Sequence, residues 1–494
     1  MSEVSHQYLC IYGHFYQPPR EDPFSGRIPP EPGAAPYNNF NEKIAAECYL
    51  PNATLGNFAR ISFDLGPTLA GWLEKRQPET LERIVASDQD SARHGGGAAL
   101  AQAYNHTILP LATPRDRLTQ IRWGQTDFVH RFGRVAEGMW LPETAADLAT
   151  LAALRACGVT YTVLAPWQAE GPIDPTEPYL VRLPDGQTMT VFFYNAPLSA
   201  GVSFQPEVTS NADYFASSYL TAHVNTEKRA RGEDQITIIA SDGELYGHHK
   251  EWRDHFLRRL TETSAAAAGF QVVTLDEYLR AHPATREVKL REPGSWSCGH
   301  GVARWSDGCD CTEGDSGWKA PLRGAFDGLR AGLDTAFERE AARHLNDPWA
   351  ARDDYLALRE GWLPADAFWE RHGKRGRRPL RRAHEARARD LLEAQYLGQW
   401  MYTSCGFFFE DLDRIEPRND IAFARRAISL IWQTAHVDLQ TDFLRDIAQA
   451  HSGRARLTGA DIYHNLAPVP AHALPPLQPA SAPTPGKSSR EPAA

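Results

Sequence analysis

The first 290 residues alternate short runs of β-branched and aromatic residues with stretches whose apolar residues recur at helical spacing. Helices are predicted between the runs, for example over Thr144–Ala156 and Glu251–Ser264. Strand and helix alternating over this length predict an α/β fold built on a parallel sheet. The predicted strands are Tyr8–Tyr12, Arg60–Phe63, Val135–Trp140, Thr160–Leu164, Thr188–Phe193, Ile236–Ala240 and Gln271–Thr274.

The strand pattern stops near residue 315. The following stretches, rich in Ala, Leu, Arg and Glu, predict helices over 318–345, 351–371, 378–415 and 419–450. We therefore divide the chain into an α/β region (1–314), a helical domain (315–465) and a tail (466–494). The tail is rich in Pro, Ala and Ser, so it has too few apolar side chains to form a core and is predicted to be disordered.

Polar residues at the ends of the predicted strands favour a closed barrel over an open sheet. His14 and Gln17 follow the first strand, Glu143 follows the third, and Asp242 and Glu244 follow the sixth. In a β/α barrel the C-terminal strand ends face one shared cavity, whereas a doubly wound sheet gathers its chemistry at a single switch point. We predict a β/α barrel whose C-terminal strand ends hold the site.

Charge and composition narrow the choice of partner and compartment. The net charge of −10 argues against nucleic acid and anionic membranes as partners. The sequence shows no segment typical of a secretion signal and no apolar run long enough to span a membrane. Its seven cysteines are scattered, which argues against a disulfide framework. We therefore expect a cytoplasmic protein with reduced thiols. Thirteen Trp and seventeen Tyr favour a ligand with flat apolar faces, such as a sugar or a base.

A basic segment, KRGRRPLRRAHEARAR (Lys374–Arg389), is the one feature that suggests nucleic acid. Acidic residues surround it and no aromatic residues interrupt it, so we interpret it as a solvated helix face preceded by a loop.

Two motifs carry carboxylates. GMWLPE places Glu143 directly after an apolar strand, and IIASDGELYGHHKEW places Asp242 and Glu244 on either side of Gly243. The second motif has a plain alternative, in which Ser241 to Gly243 form a turn that caps the next helix. Two carboxyl groups at strand ends of one barrel are what glycoside hydrolysis requires, one ionised and one protonated.

Three further segments supply candidate ligands. GHFYQPPRE holds His14 and Gln17, suited to polyol recognition, and AYNHTILPL places His106 near a strand end. GSWSCGHGVARWSDGCDC contains four residues of metal-ligating type: Cys298, His300, Cys309 and Cys311. Their C-x-H and C-x-C spacings differ from those of zinc fingers, so we expect that the four do not converge on a metal. We expect instead that this loop lines the cavity with Trp296, His300, Arg304 and Trp305.

GMWLPE and SDGELYGH, about a hundred residues apart behind an N-terminal GHFYQPP, resemble the conserved regions of glycoside hydrolase family 57, and especially a bacterial branch labelled α-amylase or α-mannosidase related. The resemblance covers roughly residues 8 to 450. It implies an incomplete, seven-stranded β/α barrel followed by a C-terminal helical domain, and a retaining hydrolase or glucanotransferase of α-linked glucans or oligosaccharides. No cofactor and no metal are predicted.

Site roles follow from the resemblance residue by residue. Glu143 takes the place of the nucleophile and Asp242 that of the general acid/base, which must stay protonated near neutrality. The segment WMYTSCGFFFEDL (Trp400–Leu412) resembles one that closes on the active site. The first motif departs from the family pattern, because Phe15 and Tyr16 separate His14 from Gln17. Predicted substrate-binding residues are His14, Gln17, His106, Trp140, Glu244, His248, Trp296, His300, Arg304, Trp305 and Phe408.

Two alternatives remain from the residues alone. A metal-dependent hydrolase of related barrel type, such as an α-mannosidase or a polysaccharide deacetylase, needs an Asp and two His around zinc, and four histidines are available: His14, His106, His248 and His249. A glucan-binding protein without catalysis is the other. Metal content separates the first from a glycosidase. Carboxyl groups about 5 to 6 Å apart, as retaining chemistry requires, argue against the second.

Overall fold

Ten β-strands form the first half of the protein in the computed structural model, which describes residues 6–93, 95–374 and 378–476. Residues 477–494 of the predicted tail and residues 375–377 of the basic segment lie outside the described residues. The strands are β1 (Gln7–Phe15), β2 (Ser62–Leu65), β3 (Ala99–Gln102), β4 (Met139–Trp140), β5 (Tyr161–Leu164), β6 (Tyr179–Arg182), β7 (Thr188–Phe193), β8 (Gln235–Asp242), β9 (Phe270–Val272) and β10 (Arg286–Glu287).

Seven parallel strands close into a barrel. Strands β4, β3, β2, β1 and β8 are hydrogen-bonded neighbours in that order. A parallel bridge between Gly138 and Tyr161 carries the sheet from β4 to β5, and β5 pairs in parallel with β7. Asn195 N, just after β7, donates to Ile238 O of β8 at 2.8 Å, which joins the two ends. The predicted seven-stranded α/β barrel is confirmed.

The membership of the barrel differs from the sequence prediction in two strands. The segment predicted over Gln271–Thr274 forms β9, which pairs only with the start of β1. Strand β3, sequence Ala-Leu-Ala-Gln, takes its place in the barrel and was not predicted because it contains no β-branched or aromatic residue. Its backbone lies close to the neighbouring helix, since a Cβ added to Gly124 of that helix would lie 2.0 Å from Gln102 O. Glu143 therefore follows the fourth barrel strand.

Helices cover the outside of the barrel. The helix predicted from Thr144 begins only at Leu148, where Asp147 accepts a hydrogen bond from Thr150 N at 2.6 Å, because the preceding turn has left-handed backbone. The α-helices of this half are α1 (Phe40–Ile44), α2 (Leu50–Thr54), α3 (Pro67–Arg76), α4 (Pro78–Arg93), α5 (Pro114–Phe132), α6 (Leu148–Ala156), α7 (Ala196–Phe204), α8 (Ala212–Tyr214), α9 (Thr226–Arg231), α10 (Arg253–Arg259), α11 (Ala265–Ala267) and α12 (Leu275–Ala281).

The C-terminal region is helical, as predicted, although three of the four predicted helices are each divided in two. Gly361, with φ 78°, separates the two helices that replace the second predicted helix (351–371), and His436, with φ 54°, ends the longer of the two that replace the last one (419–450). No helix in the described ranges is long and apolar enough to cross a membrane. The helices are α13 (Lys319–Ala341), α14 (Pro348–Arg359), α15 (Ala365–His372), α16 (Arg378–Trp400), α17 (Cys405–Phe408), α18 (Ile415–Ala435), α19 (Gln440–Ile447) and α20 (Gly459–Asn465).

The helical region packs against the barrel beside α5. Arg352 of α14 is fully buried and donates to Asp116 Oδ1 at 2.7 Å and to Thr119 Oγ1 at 2.8 Å. A buried charge needs such partners, since an unpaired one is strongly destabilising. Close to the barrel opening, Ser404 N donates to His106 O at 3.0 Å. These contacts bring α17 over the C-terminal ends of the strands.

Candidate active site

The C-terminal end of the barrel opens into a cavity of about 920 Å³. Side chains that follow β1, β3, β4 and β8 line it from below, and α17 lines it from the helical region. Both predicted catalytic carboxyl groups face this one cavity. Nine of the predicted site residues line it: His14, Gln17, His106, Glu143, Asp242, Glu244, Trp296, Arg304 and Phe408.

Glu143 is held by a strained turn. It lies in the 3₁₀ turn Pro142–Thr144 after β4 with φ 58° and ψ 22°, a left-handed conformation uncommon for a residue with a side chain. Its Oε2 accepts hydrogen bonds from Trp296 Nε1 at 2.9 Å and from Ser297 Oγ at 2.6 Å. Trp296 N also donates to Glu143 O at 3.0 Å. Within the described residues Oε1 accepts no hydrogen bond, so one carboxyl oxygen is fixed and the other is available.

The surroundings of Glu143 act on its charge in both directions. Burial raises the pKa of Glu143 above its usual value, and the negative charge of Asp242 adds to this increase. The hydrogen bonds from Ser297 and Trp296, together with the charge of His14, oppose the increase because they stabilise the carboxylate. The charge of Asp242 affects Glu143 because both carboxyl groups face the same cavity.

Asp242 ends β8 in an extended conformation and points out of the strand. Its side chain is exposed, and no described group donates a hydrogen bond to its carboxylate. The alternative in which this motif caps the next helix is therefore wrong: the Asp242 side chain makes no capping hydrogen bond to the short 3₁₀ turn that follows it, and α10 begins only at Arg253. The residue that follows has to be glycine, because a Cβ on Gly243 would lie 2.4 Å from the Phe15 ring. This bend leaves Asp242 free in the cavity.

Glu244, two residues further on, is in a different environment. It is buried, and its Oε1 accepts hydrogen bonds from Tyr49 Oη at 2.6 Å and from Tyr16 N at 3.2 Å. Burial raises the pKa of Glu244 to about 7; the hydrogen bond from Tyr49 and the charge of His14 oppose this shift, while the charge of Asp242 adds to it. One motif thus carries a free carboxyl group and a tethered one.

A chain of four side chains crosses from the barrel to the helical region. Asp64 Oδ2 lies 2.8 Å from His14 Nδ1, His14 Nε2 lies 3.2 Å from His106 Nε2, and His106 Nδ1 lies 2.5 Å from Ser404 Oγ. Burial lowers the pKa of His106 well below its usual value, and the charge of His14 lowers it further. A neutral His106 accepts a hydrogen bond at Nε2 from the Nε2–H of His14 and donates one from its Nδ1–H to Ser404 Oγ.

His14 is the cation of this chain. Burial lowers the pKa of His14, but the hydrogen bond and charge of Asp64 and the charges of Asp242 and Glu244 outweigh burial and raise it to about 9. The imidazole ring also stacks on Trp140, with ring centroids 5.3 Å apart. His14 therefore presents a fixed positive charge among the carboxyl groups of the cavity.

We expect Asp64→Asn to lower the pKa of His14. Burial lowers this pKa, and the substitution removes the carboxylate charge that most strongly raises it. Since the folded-state pKa is raised, protonated His14 stabilises the fold fully below a pH of about 6.5, and this stability is lost as the pH rises to about 9. Histidine titration by NMR should show a midpoint for His14 near pH 9 in the wild type. In Asp64→Asn the midpoint should move to lower pH. Tyr12→Phe is the matched control, because it removes a 2.9 Å hydrogen bond to Asp64 but keeps the charge. An unchanged His14 titration in Asp64→Asn contradicts the assignment.

Four predicted substrate-binding residues do not line the cavity. Trp140 is buried beneath it and packs edge-on against Trp296 at 5.0 Å. Trp305 lies in the core of the helical region. His248 points away, with Nδ1 2.6 Å from Glu47 Oε2, and its neighbour His249 lines the cavity instead. His300 lies at the surface beside Cys311.

Several cavity residues were not predicted. Trp167 and Tyr194 follow β5 and β7, so the rule that located Glu143 at a strand end also applies to them. Their rings are perpendicular at 6.1 Å, and Tyr194 in turn packs edge-on against Trp296 at 6.4 Å. Trp167 is 47% exposed, and Phe204 at the cavity edge is 83% exposed. Together they form an aromatic wall along one side of the cavity.

The cysteine-rich loop also differs from the prediction. The candidate ligand atoms of Cys298, His300, Cys309 and Cys311 all lie within 4.8 Å of one another, so the expectation that they do not converge is wrong. The loop between them folds back on itself: Gly308 N donates to Ala303 O at 2.8 Å, and Arg304 donates to Cys311 O at 2.6 Å. Sequence spacing alone does not reveal this closure.

Comparison with known proteins places these features in a family. Residues 9–291, more than half of the chain, match the model of Glycosyl hydrolase family 57, and residues 315–474 match a domain of unknown function, DUF3536. The 4-alpha-glucanotransferase of Thermococcus litoralis is 23% identical over 227 residues, which are 43% of this chain and 31% of that protein. The matches span less than a third of each curated relative.

Solved structures share the fold at low sequence identity. An exo-type maltose-forming amylase from Pyrococcus sp. ST04 superposes with a TM-score of 0.69 at 16% identity, covering 86% of this chain and 80% of the amylase chain. A branching enzyme from Thermococcus kodakaraensis, solved with glucose, superposes with a TM-score of 0.60 at 15% identity, covering 96% and 99%. The family predicted from the motifs is confirmed: the chain belongs to glycosyl hydrolase family 57.

Proposed function

We propose that the protein is a retaining glycoside hydrolase or transglycosylase that acts on α-linked glucans. The observation that carries the proposal is the pair of carboxyl groups in one cavity, Glu143 fixed by two donors and Asp242 free of hydrogen bonds from the described residues. The printed names of the relatives, a 4-alpha-glucanotransferase and a maltose-forming amylase, support an α-glucan as substrate.

In the first half of the reaction Glu143 is the nucleophile. Its free oxygen, Oε1, attacks the anomeric carbon, while Asp242 donates a proton to the departing glycosidic oxygen and the C–O bond breaks. The fixed oxygen, Oε2, keeps its bonds to Trp296 and Ser297, so the carboxylate stays aimed during attack. The product of this step is a covalent glycosyl-enzyme and a free leaving group.

In the second half Asp242, now ionised, removes a proton from water or from an acceptor sugar hydroxyl. The activated oxygen attacks the anomeric carbon from the face that the leaving group vacated, and Glu143 is released as a carboxylate. Two inversions leave the configuration of the sugar unchanged. Water as acceptor gives hydrolysis, and a sugar hydroxyl gives transfer.

His14 supports both halves of the reaction through its positive charge. A protonated imidazole favours the ionised form of Glu143, the form that attacks, and Asp64 keeps that proton in place. Because His14 contacts Ser404 through His106, the same chain links this charge to the segment of the helical region that lies over the cavity.

The aromatic wall supports a sugar substrate. Trp167 and Tyr194 present ring faces and edges beside Trp296, which itself bonds the nucleophile. Aromatic rings stack on the apolar faces of pyranose rings, while cavity polar groups such as Arg304 and Gln17 suit their hydroxyls. A chain of sugars could thus pass along the wall with one glycosidic bond between the two carboxyl groups.

An assay with maltoheptaose tests the proposal, with cellohexaose as the β-linked control. We expect cleavage or disproportionation of the α-linked chain only, and ¹H NMR of fresh product should show the α-anomer before mutarotation. Longer oligosaccharides among the products identify transfer, and shorter ones alone identify hydrolysis. Initial release of the β-anomer, or cleavage only of the β-linked substrate, contradicts the proposal.

A further inference from the structure

We propose that Cys298, His300, Cys309 and Cys311 bind one zinc ion, which fixes the loop that holds the nucleophile. The four candidate ligand atoms lie within 4.8 Å of one another on a loop outside the barrel. Three thiolates and one imidazole form a common donor set of structural zinc sites. With four protein ligands, the ion would have no open position for water or substrate.

Two of the distances within the cluster match those of a tetrahedral ion. Bond lengths of about 2.3 Å to sulfur and about 2.1 Å to nitrogen place two sulfurs about 3.8 Å apart, and a sulfur and a nitrogen about 3.6 Å apart. In the structure Cys298 Sγ lies 3.6 Å from Cys309 Sγ, and Cys311 Sγ lies 3.4 Å from His300 Nδ1. Two opposite edges of the tetrahedron are thus already formed. A disulfide would need its sulfurs at about 2.05 Å.

The surroundings of the cluster match those of a metal site. His300 turns Nδ1 toward the thiols and places Nε2 3.5 Å from Asp310 Oδ1. Metal-bound imidazoles commonly donate their second ring N–H to a carboxylate, which fixes the tautomer. Two cations lie beside the cluster: Arg304 donates to the backbone oxygen of Cys311 at 2.6 Å, and Lys319 Nζ donates to Oγ1 of the next residue, Thr312, at 3.4 Å. They balance the negative charge of three thiolates.

The position of the cluster connects it to the active site. Cys298 directly follows Ser297, whose hydroxyl donates to Glu143. Arg304 lies between the two halves of the ligand set, lines the cavity, and stacks over the Phe408 ring at 4.4 Å. An ion at the cluster would therefore fix both ends of the loop that orients Glu143, and it would do so without contacting substrate.

Metal analysis of the purified full-length protein tests the site. We expect one equivalent of zinc in the wild type and its loss in Cys309→Ser. Cys157→Ser is the matched control, since Cys157 is a free, half-buried thiol that does not belong to the cluster, and this variant should keep the full equivalent. Protein loaded with Co²⁺ instead should show thiolate-to-cobalt charge transfer and the intense visible bands of a tetrahedral ion.

Three results overturn the inference. The first is that wild-type protein prepared under reducing conditions takes up neither Zn²⁺ nor Co²⁺. The second is that Cys309→Ser retains its zinc, and the third is a Cys298–Cys309 disulfide detected by mass spectrometry.

A second measurement applies if Cys309→Ser does not fold. A mercurial that modifies the thiols of the wild-type protein must then release zinc in proportion to the thiols modified. Release of zinc without thiol modification also overturns the inference. These readouts do not depend on glycosidase activity. Glu143→Gln, which removes the nucleophile, should retain its zinc.

Discussion

Replacing Glu143 with Gln should lower the turnover of an α-glucan by about 10⁴-fold or more, because no covalent intermediate can then form. Gln has the shape of Glu, and its amide oxygen can still accept the hydrogen bonds of Trp296 and Ser297. The loss is therefore expected in kcat with little change in thermal stability. Activity against maltoheptaose and thermal unfolding of the same preparation are the two measurements.

Azide distinguishes a nucleophile from a residue that only supports the site. In Glu143→Ala the space of the carboxylate is open, so the anion can enter it and attack the anomeric carbon from the same face. Rescue should therefore yield a β-glycosyl azide from an α-linked substrate, that is, a product of inverted configuration. Ser297→Ala, which keeps the carboxylate and loses one hydrogen bond, should lose much less activity and gain nothing from azide. Near-native turnover in Glu143→Gln, or the absence of azide rescue in Glu143→Ala on an activated substrate, removes Glu143 from this role.

The sequence predicted the barrel because most of its strands bury both faces. In β8 seven consecutive residues are buried, which is why its run of apolar residues is visible without any structure. Strand β3 lacked that signal because its four residues, Ala-Leu-Ala-Gln, include no β-branched or aromatic side chain. Strand β4 was predicted too long, since Val135 is 64% exposed and the described pairing begins only at Gly138, which bridges to Tyr161 ahead of Met139 and Trp140.

The site residues that could be predicted from the sequence are those positioned by the end of a barrel strand. Glu143, Asp242 and His14 all follow barrel strands, and strand ends meet at one opening. Contacts made over long sequence distances were not predictable in the same way. Ser404 reaches His106 across 298 residues, and the cysteine loop closes through backbone bonds that its spacing does not encode. In IIASDGELYGHHKEW, His248 points toward Glu47 and His249 points into the cavity, after an irregular turn. The spacing of residues in the sequence could not predict which of the two faces the cavity.

The roles of Asp242 and Glu244 present the sharpest choice at this site. Burial raises the pKa of Glu244 to about 7, a value suited to a general acid at neutral pH, whereas Asp242 is exposed. Geometry favours Asp242 all the same. Glu244 Oε1 is held by Tyr49 and Tyr16, which ties this carboxyl group to the chain after β1, while the carboxyl group of Asp242 is free to meet a glycosidic oxygen. We therefore assign proton transfer to Asp242 and positioning to Glu244.

Replacing each residue by Ala should separate the two roles through the leaving group. In Asp242→Ala, kcat/KM for an α-glucan should fall by about 10²- to 10⁴-fold, whereas kcat/KM for a 2,4-dinitrophenyl α-glycoside should fall far less, because that leaving group departs without a proton. Azide should then speed turnover of the aryl substrate and yield an α-glycosyl azide, since the intermediate on Glu143 still forms and is intercepted. In Glu244→Ala both substrates should lose kcat/KM by a similar factor, and azide should have no effect, because Tyr49 and Tyr16 lose their partner and the whole site shifts. If the dependence on the leaving group and the azide product with retained configuration appear in Glu244→Ala and are absent in Asp242→Ala, the two roles are exchanged.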